Sequence, residues 1–267
     1  MTAQRERLPL TSPAEIRALI RAGDWTQQTA GLANDYVQAN LVILPREDAE
    51  DFYVFCERNP KPCPLLDITA AGSPIPVKVA PDADLRTDLP RYRVYEHGEL
   101  VDEPLDIASY WRDDLVAFLL GCSFTFEHGL VDAGVPLRHI ERGLGVPMYR
   151  TNRACQPAGR FHGPLVVSMR PIPEPLVHLA IESTARYPAV HGAPVHVGLP
   201  EQLGISDIMN PDWGDSPVVE AGDVPVFWAC GVTPQAVAMA SKPVFMITHA
   251  PGHMFITDLK VADLELS

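Results

Sequence analysis

What this chain lacks narrows the choices before any motif is read. No apolar run approaches the ~20 residues needed to cross a bilayer, so membrane insertion is not expected. Basic residues are outnumbered, 21 against 34 acidic, and the formal charge of −13 argues against a general nucleic-acid binder, which presents a basic face to phosphates. An anionic substrate stays compatible with that charge, because a few local arginines reverse the field inside a pocket. No Cys-x-x-Cys pair occurs, and the five cysteines are an odd number, which fits reduced thiols in a cytosolic protein better than a disulfide framework or a cysteine zinc site. A phosphate loop, a Gly-x-Gly-x-x-Gly and a Gly-x-Ser-x-Gly elbow are all missing, so nucleotide binding and serine hydrolysis lose support. No repeat of roughly 20 to 50 residues recurs, which excludes a solenoid or propeller. The first seven residues have no apolar core of the kind a secretion signal needs, and cytoplasmic residence is the default expectation.

Proline, by contrast, is abundant: 27 of 267 residues, scattered among apolar runs, which reads as rigid loops and strand ends around a sizeable core of one large or two smaller domains. Ser12-Pro13-Ala14-Glu15 carries a helix-starting signature, with Ile16, Leu19 and Ile20 on one face and Gly23 ending the helix. The apolar run over residues 29–45 holds Asn34, Gln38 and Asn40, amides that serve either as structural hydrogen-bonders or as ligand contacts. Helical spacing returns over residues 48–58, and the prolines of residues 59–64 predict an extended segment holding Lys61 and Cys63. A hairpin is expected around His97-Gly98, and an amphipathic helix over residues 107–120 running into Gly121. Ser123 suits the cap of a following helix, which puts Cys122 at a helix N-terminus where the dipole lowers a thiol pKa, or simply in a tight turn as a buried thiol. Residues 145–152 and 163–171 read as strands ended by Arg150 and Arg170, side chains suited either to rim salt bridges or to a two-pronged grip on a carboxylate. A helix over 174–187 and a strand over 193–197 follow.

The most informative stretch is residues 224–253. Residues 226–229 form a short apolar run that reads as a strand buried on both faces, Thr233 and Pro234 open a short helix, and residues 244–248 make a second strand. A parallel crossover is expected, placing Cys230 and His249 together on the carboxyl rim where ligands bind in open α/β sheets. The alternative is a buried small hydrophobe and a satisfied loop histidine. His191/His196 and His249/His253 tempt a metal reading, but a strand offset of five points the first pair to opposite faces, and Pro251-Gly252 bars a helix in the second. No metal ligand set is expected and no cofactor is evident, with a divalent cation left open. Asp215 of Pro211-Asp-Trp-Gly-Asp is either an acid/base group or a turn residue.

Long motifs then carry a resemblance. Tyr36-Val-Gln-Ala-Asn-Leu-Val-Ile-Leu-Pro, Arg58-Asn-Pro-Lys-Pro-Cys-Pro, Gly121-Cys-Ser-Phe-Thr-Phe-Glu, Val146-Pro-Met-Tyr-Arg-Thr-Asn, Gly163-Pro-Leu-Val-Val-Ser-Met-Arg-Pro, Phe227-Trp-Ala-Cys-Gly-Val-Thr-Pro-Gln and Thr248-His-Ala-Pro-Gly-His resemble the bacterial hydro-lyases of the D-glutamate cyclase family. The likeness implies an α/β fold: a larger three-layer α/β domain with a mixed sheet, residues 1–120 and 201–267, plus a smaller two-layer α+β domain, residues 121–200. It also implies carbon–oxygen lyase chemistry, with D-glutamate to 5-oxo-D-proline plus water as the reaction of a mitochondrial relative. That relative carries a further C-terminal domain, and this sequence resembles the part before it. At Gly198-Leu199-Pro200 the family commonly has aspartate in the middle position, so Leu199 removes a carboxylate.

The expectation is therefore a hydro-lyase for a small amino or hydroxy acid carboxylate, with self-association open. Arg150 and Arg170 would hold carboxylates, His249 or His196 would move a proton, Cys230 and Cys122 would be acid/base groups, and Asn152 and Thr248 would orient the substrate. Two rival readings use the same residues: a Cys230-dependent acyl transferase or amidase activated by His249, and a non-catalytic carboxylate-binding protein.

Overall fold

The structure, a computed structural model, describes residues 12–266. Thr11 and the opening residues read for a secretion signal lie outside them. In chain order the elements are α1 (Pro13–Arg21), β1 (Tyr36–Pro45), α2 (Arg46–Arg58), β2 (Leu65–Ile68), β3 (Tyr92–Glu96), β4 (Glu99–Asp102), β5 (Leu115–Gly121), α3 (Phe124–Asp132), α4 (Arg138–Arg142), β6 (Met148–Ala154), β7 (Pro164–Pro173), α5 (Val177–Ala185), β8 (His196–Val197), β9 (Asp223–Ala229), α6 (Thr233–Ser241), β10 (Phe245–His249) and β11 (Phe255–Lys260). No helix among the described residues is long and apolar enough to cross a membrane.

Two sheets result, and the α/β class holds. The larger runs β2-β5-β1-β10-β3-β4, with β11 also on β1; the smaller runs β6-β7-β9-β8. The smaller sheet takes in β9, so it extends past residue 200. Every pairing between the named strands is antiparallel. The parallel crossover expected over residues 226–248 does not form. β9 has both edges taken by β7 and β8, β10 is paired on both sides by β1 and β3, and α6 carries the chain from one sheet to the other.

Local chemistry explains most elements. Ser12 and Glu15 cap α1 reciprocally, as the sequence indicates. His97 and Gly98 both sit at positive φ, the backbone of a two-residue hairpin loop, and join β3 to β4. The helix expected over residues 107–120 is absent. Ala108–Tyr110 makes one short 3-10 turn, and Leu115–Gly121 is a strand buried at every position between β1 and β2. Its continuous apolarity suits a strand covered on both faces, and periodicity alone does not separate that from a buried helix. Nor are residues 59–64 extended: the Cys63 amide donates to the Asn59 carbonyl (3.0 Å), so the prolines rigidify a turn.

Packing joins these pieces around β1, whose residues after Tyr36 are all buried. One face of the larger sheet packs Leu41, Ile43 and Leu119 with Leu85, Leu89 and Tyr92. The other packs Val42, Leu44 and Phe118 with Phe52 and Phe55 of α2 and Val237 of α6. Helices α3 and α5 cover Trp228, Val226 and Ile172 of the smaller sheet. Phe52, fully buried, meets Phe118 and Phe161 edge-on at 5.0 and 5.2 Å. Phe52→Ala is expected to lower the unfolding free energy by about 3–5 kcal/mol in urea titration.

Candidate active site

The site originates in a gap in the sheet. β1 pairs with β11 as far as Ala39 opposite Phe255, and with β10 from Val42 opposite Thr248. Asn40 and Leu41 fall between the two partners. The His249 side chain fills the break: its Nδ1 accepts from the Leu41 amide at 3.1 Å, replacing a ladder bond. Since Nδ1 accepts, the neutral ring carries its proton on Nε2, which is buried and without a partner among the described residues. Burial, opposed by the Leu41 carbonyl 3.4 Å from Nδ1 and helped by nearby His253 and Arg93, lowers the His249 pKa to about 3. His249 is a neutral hydrogen-bond donor at ordinary pH.

A cleft partly open to solvent lies where this gap meets the smaller sheet. His249, Asn40, Cys122, Ser123, Ser168 and Cys230 share its wall, with glycines 145, 214, 231 and 252. Asn40 donates to the Gly121 carbonyl at 2.6 Å, which leaves its Oδ1 without a donor among the described residues. The amide lies against Gly231, where a Cβ would come within 1.9 Å of Asn40 Nδ2.

Each cysteine of the wall stands at the start of a helix. The Cys230 sulfur accepts from the Val232 amide at 3.5 Å. Burial nevertheless pushes the Cys230 thiol up to about 11, against the pull of that amide and of Arg170. The Cys122 thiol is likewise pushed up by burial, with the Phe124 amide opposing. The dipole effect expected at Cys122 is outweighed by desolvation, so both sulfurs are protonated at neutral pH. Ser123 makes no cap bond to α3, and Thr233 does not cap α6; its hydroxyl donates to the Cys230 carbonyl at 2.7 Å.

Behind the wall lies a buried charged network. Arg170, 1% exposed, donates to Ser168 Oγ at 2.8 Å, to Ser123 Oγ at 3.1 Å and to Glu127 Oε1 at 3.0 Å from Nε. It also lies over the Phe126 and Trp228 rings. His139 Nε2 is 3.1 Å from the same Glu127 oxygen. Burial pushes the Glu127 carboxyl up, but His139 and Arg170 override it and hold it at about 2, so the Arg170 charge is neutralised locally.

The other expected site residues lie elsewhere. Arg150 is exposed and gripped by Asp212, with Nε to Oδ1 at 2.8 Å, and stacks on Trp213; it does not line the cleft. Arg170 stands one residue back from it. Asn152 is exposed on β6 beside Gly204. Thr248 is fully buried, its hydroxyl donating to the His249 carbonyl. His196 sits on β8 near Phe227, its Nε2 3.1 Å from the carbonyl of Leu199, itself exposed and outside the cleft. Asp215 accepts the Gly145 amide, a turn role, at 2.7 Å. His191, buried, is tied by Nδ1 to the Lys61 carbonyl at 2.6 Å. No group of three or more His, Cys, Asp or Glu side chains among the described residues is arranged to hold a metal ion. Sequence reasoning passed over Ser123 as a site residue and missed Ser168 and Gln28; only Asn40 carried a signal, as an amide in an apolar run.

Comparisons with known proteins give a consistent picture. A family model described as D-glutamate cyclase matches residues 116–258. A Bacillus licheniformis protein named "Putative hydro-lyase" is 61% identical over 248 residues, covering 93% of this chain and 95% of its own. One of the same name from Stutzerimonas stutzeri is 61% identical over 260 residues, 97% of each chain. A solved structure, a nitrogen repressor-like protein of Methanococcus jannaschii, is similar at a TM-score of 0.39 and 10% identity over 96% of this chain and 98% of that one, too distant to carry an assignment.

Above pH 6.5 His249 is neutral folded or unfolded; below it the unfolded chain takes up a proton that the folded chain refuses until about pH 3, so stability falls across that window. His249→Gln is expected to flatten this part of the unfolding-midpoint profile against pH. Gly231→Ala is expected to cost about 1–3 kcal/mol through overpacking on Asn40, and clearly less in an Asn40→Ala background, as a double-mutant cycle by thermal unfolding would show.

Proposed function

The chain belongs to the D-glutamate cyclase family, and from that membership we propose that it is a hydro-lyase removing one water from a small amino or hydroxy acid carboxylate, with D-glutamate to 5-oxo-D-proline as the first reaction to test. The observation that carries this reading is the make-up of the cleft wall. Among the described residues it holds no Asp, Glu, Lys or Arg, and its titratable groups are Cys122, Cys230 and His249. At neutral pH all three are uncharged.

Cyclisation of D-glutamate suits such a wall because it needs no net proton exchange with the protein. The amine nitrogen bonds to the side-chain carboxyl carbon, one carbon–oxygen bond breaks, and the two protons shed by the ammonium leave on the departing oxygen as water. Neutral groups that pass a proton along are sufficient. In this reading His249 Nε2–H donates to the carboxyl oxygen under attack, the Cys230 thiol relays a proton between nitrogen and oxygen, and Asn40 Oδ1 accepts from the amine. Direct nucleophilic attack by Cys230 is less well supported, since burial keeps it a thiol. Cytoplasmic residence belongs to the same reading, supported by five cysteines that are all free.

Purified protein incubated with D-glutamate, its enantiomer and related hydroxy acids, with and without divalent cations, is expected to yield a product one water lighter by mass. His249→Gln and Cys230→Ser are each expected to lower kcat by roughly 10²–10⁴. Acids that bind without losing water would instead favour a non-catalytic carboxylate binder, and a trapped thioester on Cys230 the acyl-transfer route.

A further inference from the structure

We propose that the cleft receives the ligand's carboxylate on two serine hydroxyls, Ser123 and Ser168, aimed into it by Arg170 from behind the wall, with no arginine touching the ligand. The inference takes its ligand class from the hydro-lyase reading and assigns that class a seat.

Arginine has donors and no acceptor, so each serine bonded to Arg170 must accept with its oxygen. That commits one lone pair of Ser123 Oγ and one of Ser168 Oγ and leaves each hydroxyl hydrogen free. Neither hydrogen has an acceptor among the described residues, and both serines line the cleft. They come from different sheets' territory, Ser123 at the junction of β5 and α3 and Ser168 on β7 opposite Met148 and Trp228. Ser168 and Arg170, two apart on a strand, share a face, so the residue that orients the hydroxyl is held on the same backbone. Two fixed hydroxyl donors are suited to the two oxygens of a carboxylate, and the hydrogen bond each accepts from the guanidinium strengthens both through cooperativity.

Independent features favour an anion at this place. The nine-residue helices α3 and α6 begin at the wall, at Ser123 and Val232, and present their positive ends. His249, 1% exposed and with its Nε2–H unpartnered among the described residues, lines the same cleft. Among the described residues the wall holds no carboxylate to repel the ligand. Glu127 cancels the charge of Arg170 while fixing its plane, so an apolar or neutral ligand pays no penalty for entering beside a bare cation, and discrimination rests on the hydroxyl donors. Arg170 is thus a positioning residue, which accounts for its place one shell behind the surface.

Calorimetric titration of the whole chain with glutarate and with its neutral diamide, glutaramide, tests this directly. Wild type is expected to prefer glutarate. Ser123→Ala and Ser168→Ala are each expected to weaken glutarate by roughly 10- to 100-fold, the worth of a hydrogen bond to a charged group, with glutaramide unchanged; the double variant is expected to lose the preference. Arg170→Lys should also lower the glutarate-to-glutaramide ratio, a change that simple loss of stability would not select; if it does not fold, the serine variants decide. A folded double variant that keeps wild-type preference overturns the proposal, as does a wild type that binds neither probe or both alike. Turnover separates the two readings: serine-dependent glutarate preference without dehydration of any acid keeps the seat and removes the lyase, whereas D-glutamate dehydration with an unaltered KM in the double variant does the reverse.

Discussion

One hydrogen bond holds the centre of this molecule together in an unusual way: the amide of Leu41, in a strand buried at every position after Tyr36, is satisfied by an imidazole and not by a neighbouring strand. A strand whose edge passes from one partner to another leaves backbone groups orphaned at the changeover, and an orphaned buried amide costs about 1–3 kcal/mol. His249 removes that cost with one nitrogen and leaves the other buried without a partner among the described residues, on a side chain that lines the cleft. The same bond sets the tautomer and ties the ligand-facing wall to the core, while burial keeps the ring uncharged.

The second constraint is electrostatic. Arg170 and Glu127 bring charge into the interior, which is tolerable only because they pair and the guanidinium finds two hydroxyls besides. A buried pair of this kind is a poor source of stability compared with apolar packing. Its effect is to give the wall polar donors with fixed directions while every titratable group on the wall itself is neutral. Site chemistry and fold are in this sense one arrangement: α3 supplies Ser123 and Glu127, and β7 supplies Ser168 and Arg170.

How far all this was legible in the sequence depends on the range of the forces involved. Short-range signals read correctly: the Ser12–Glu15 cap and the His97-Gly98 hairpin; Cys230 and His249 also line one opening. The route to that meeting was misread. Two apolar runs joined by a helix look like a parallel crossover whether or not their edges are already taken by β7, β8, β1 and β3, and edge occupancy is a tertiary fact. Residues 107–120 failed for a related reason, since burial on both faces erases the period that tells strand from helix. Arg150 and Arg170 look alike at strand ends; only the fold reveals that Asp212 holds the first at the surface and Glu127 the second inside. Ser123 and Ser168 gave no site signal, because a serine's direction is set by whatever faces it.

The cleft wall draws on Gln28, Asn40, Cys122, Ser168, Cys230 and His249, residues spread over most of the chain. Contacts so distant in sequence are among the last to close when a chain folds. A small acid seated there would tie both sheets at once, so occupancy should raise the resistance of the entire molecule to denaturation, with no subset of strands able to keep the ligand once the rest has come apart.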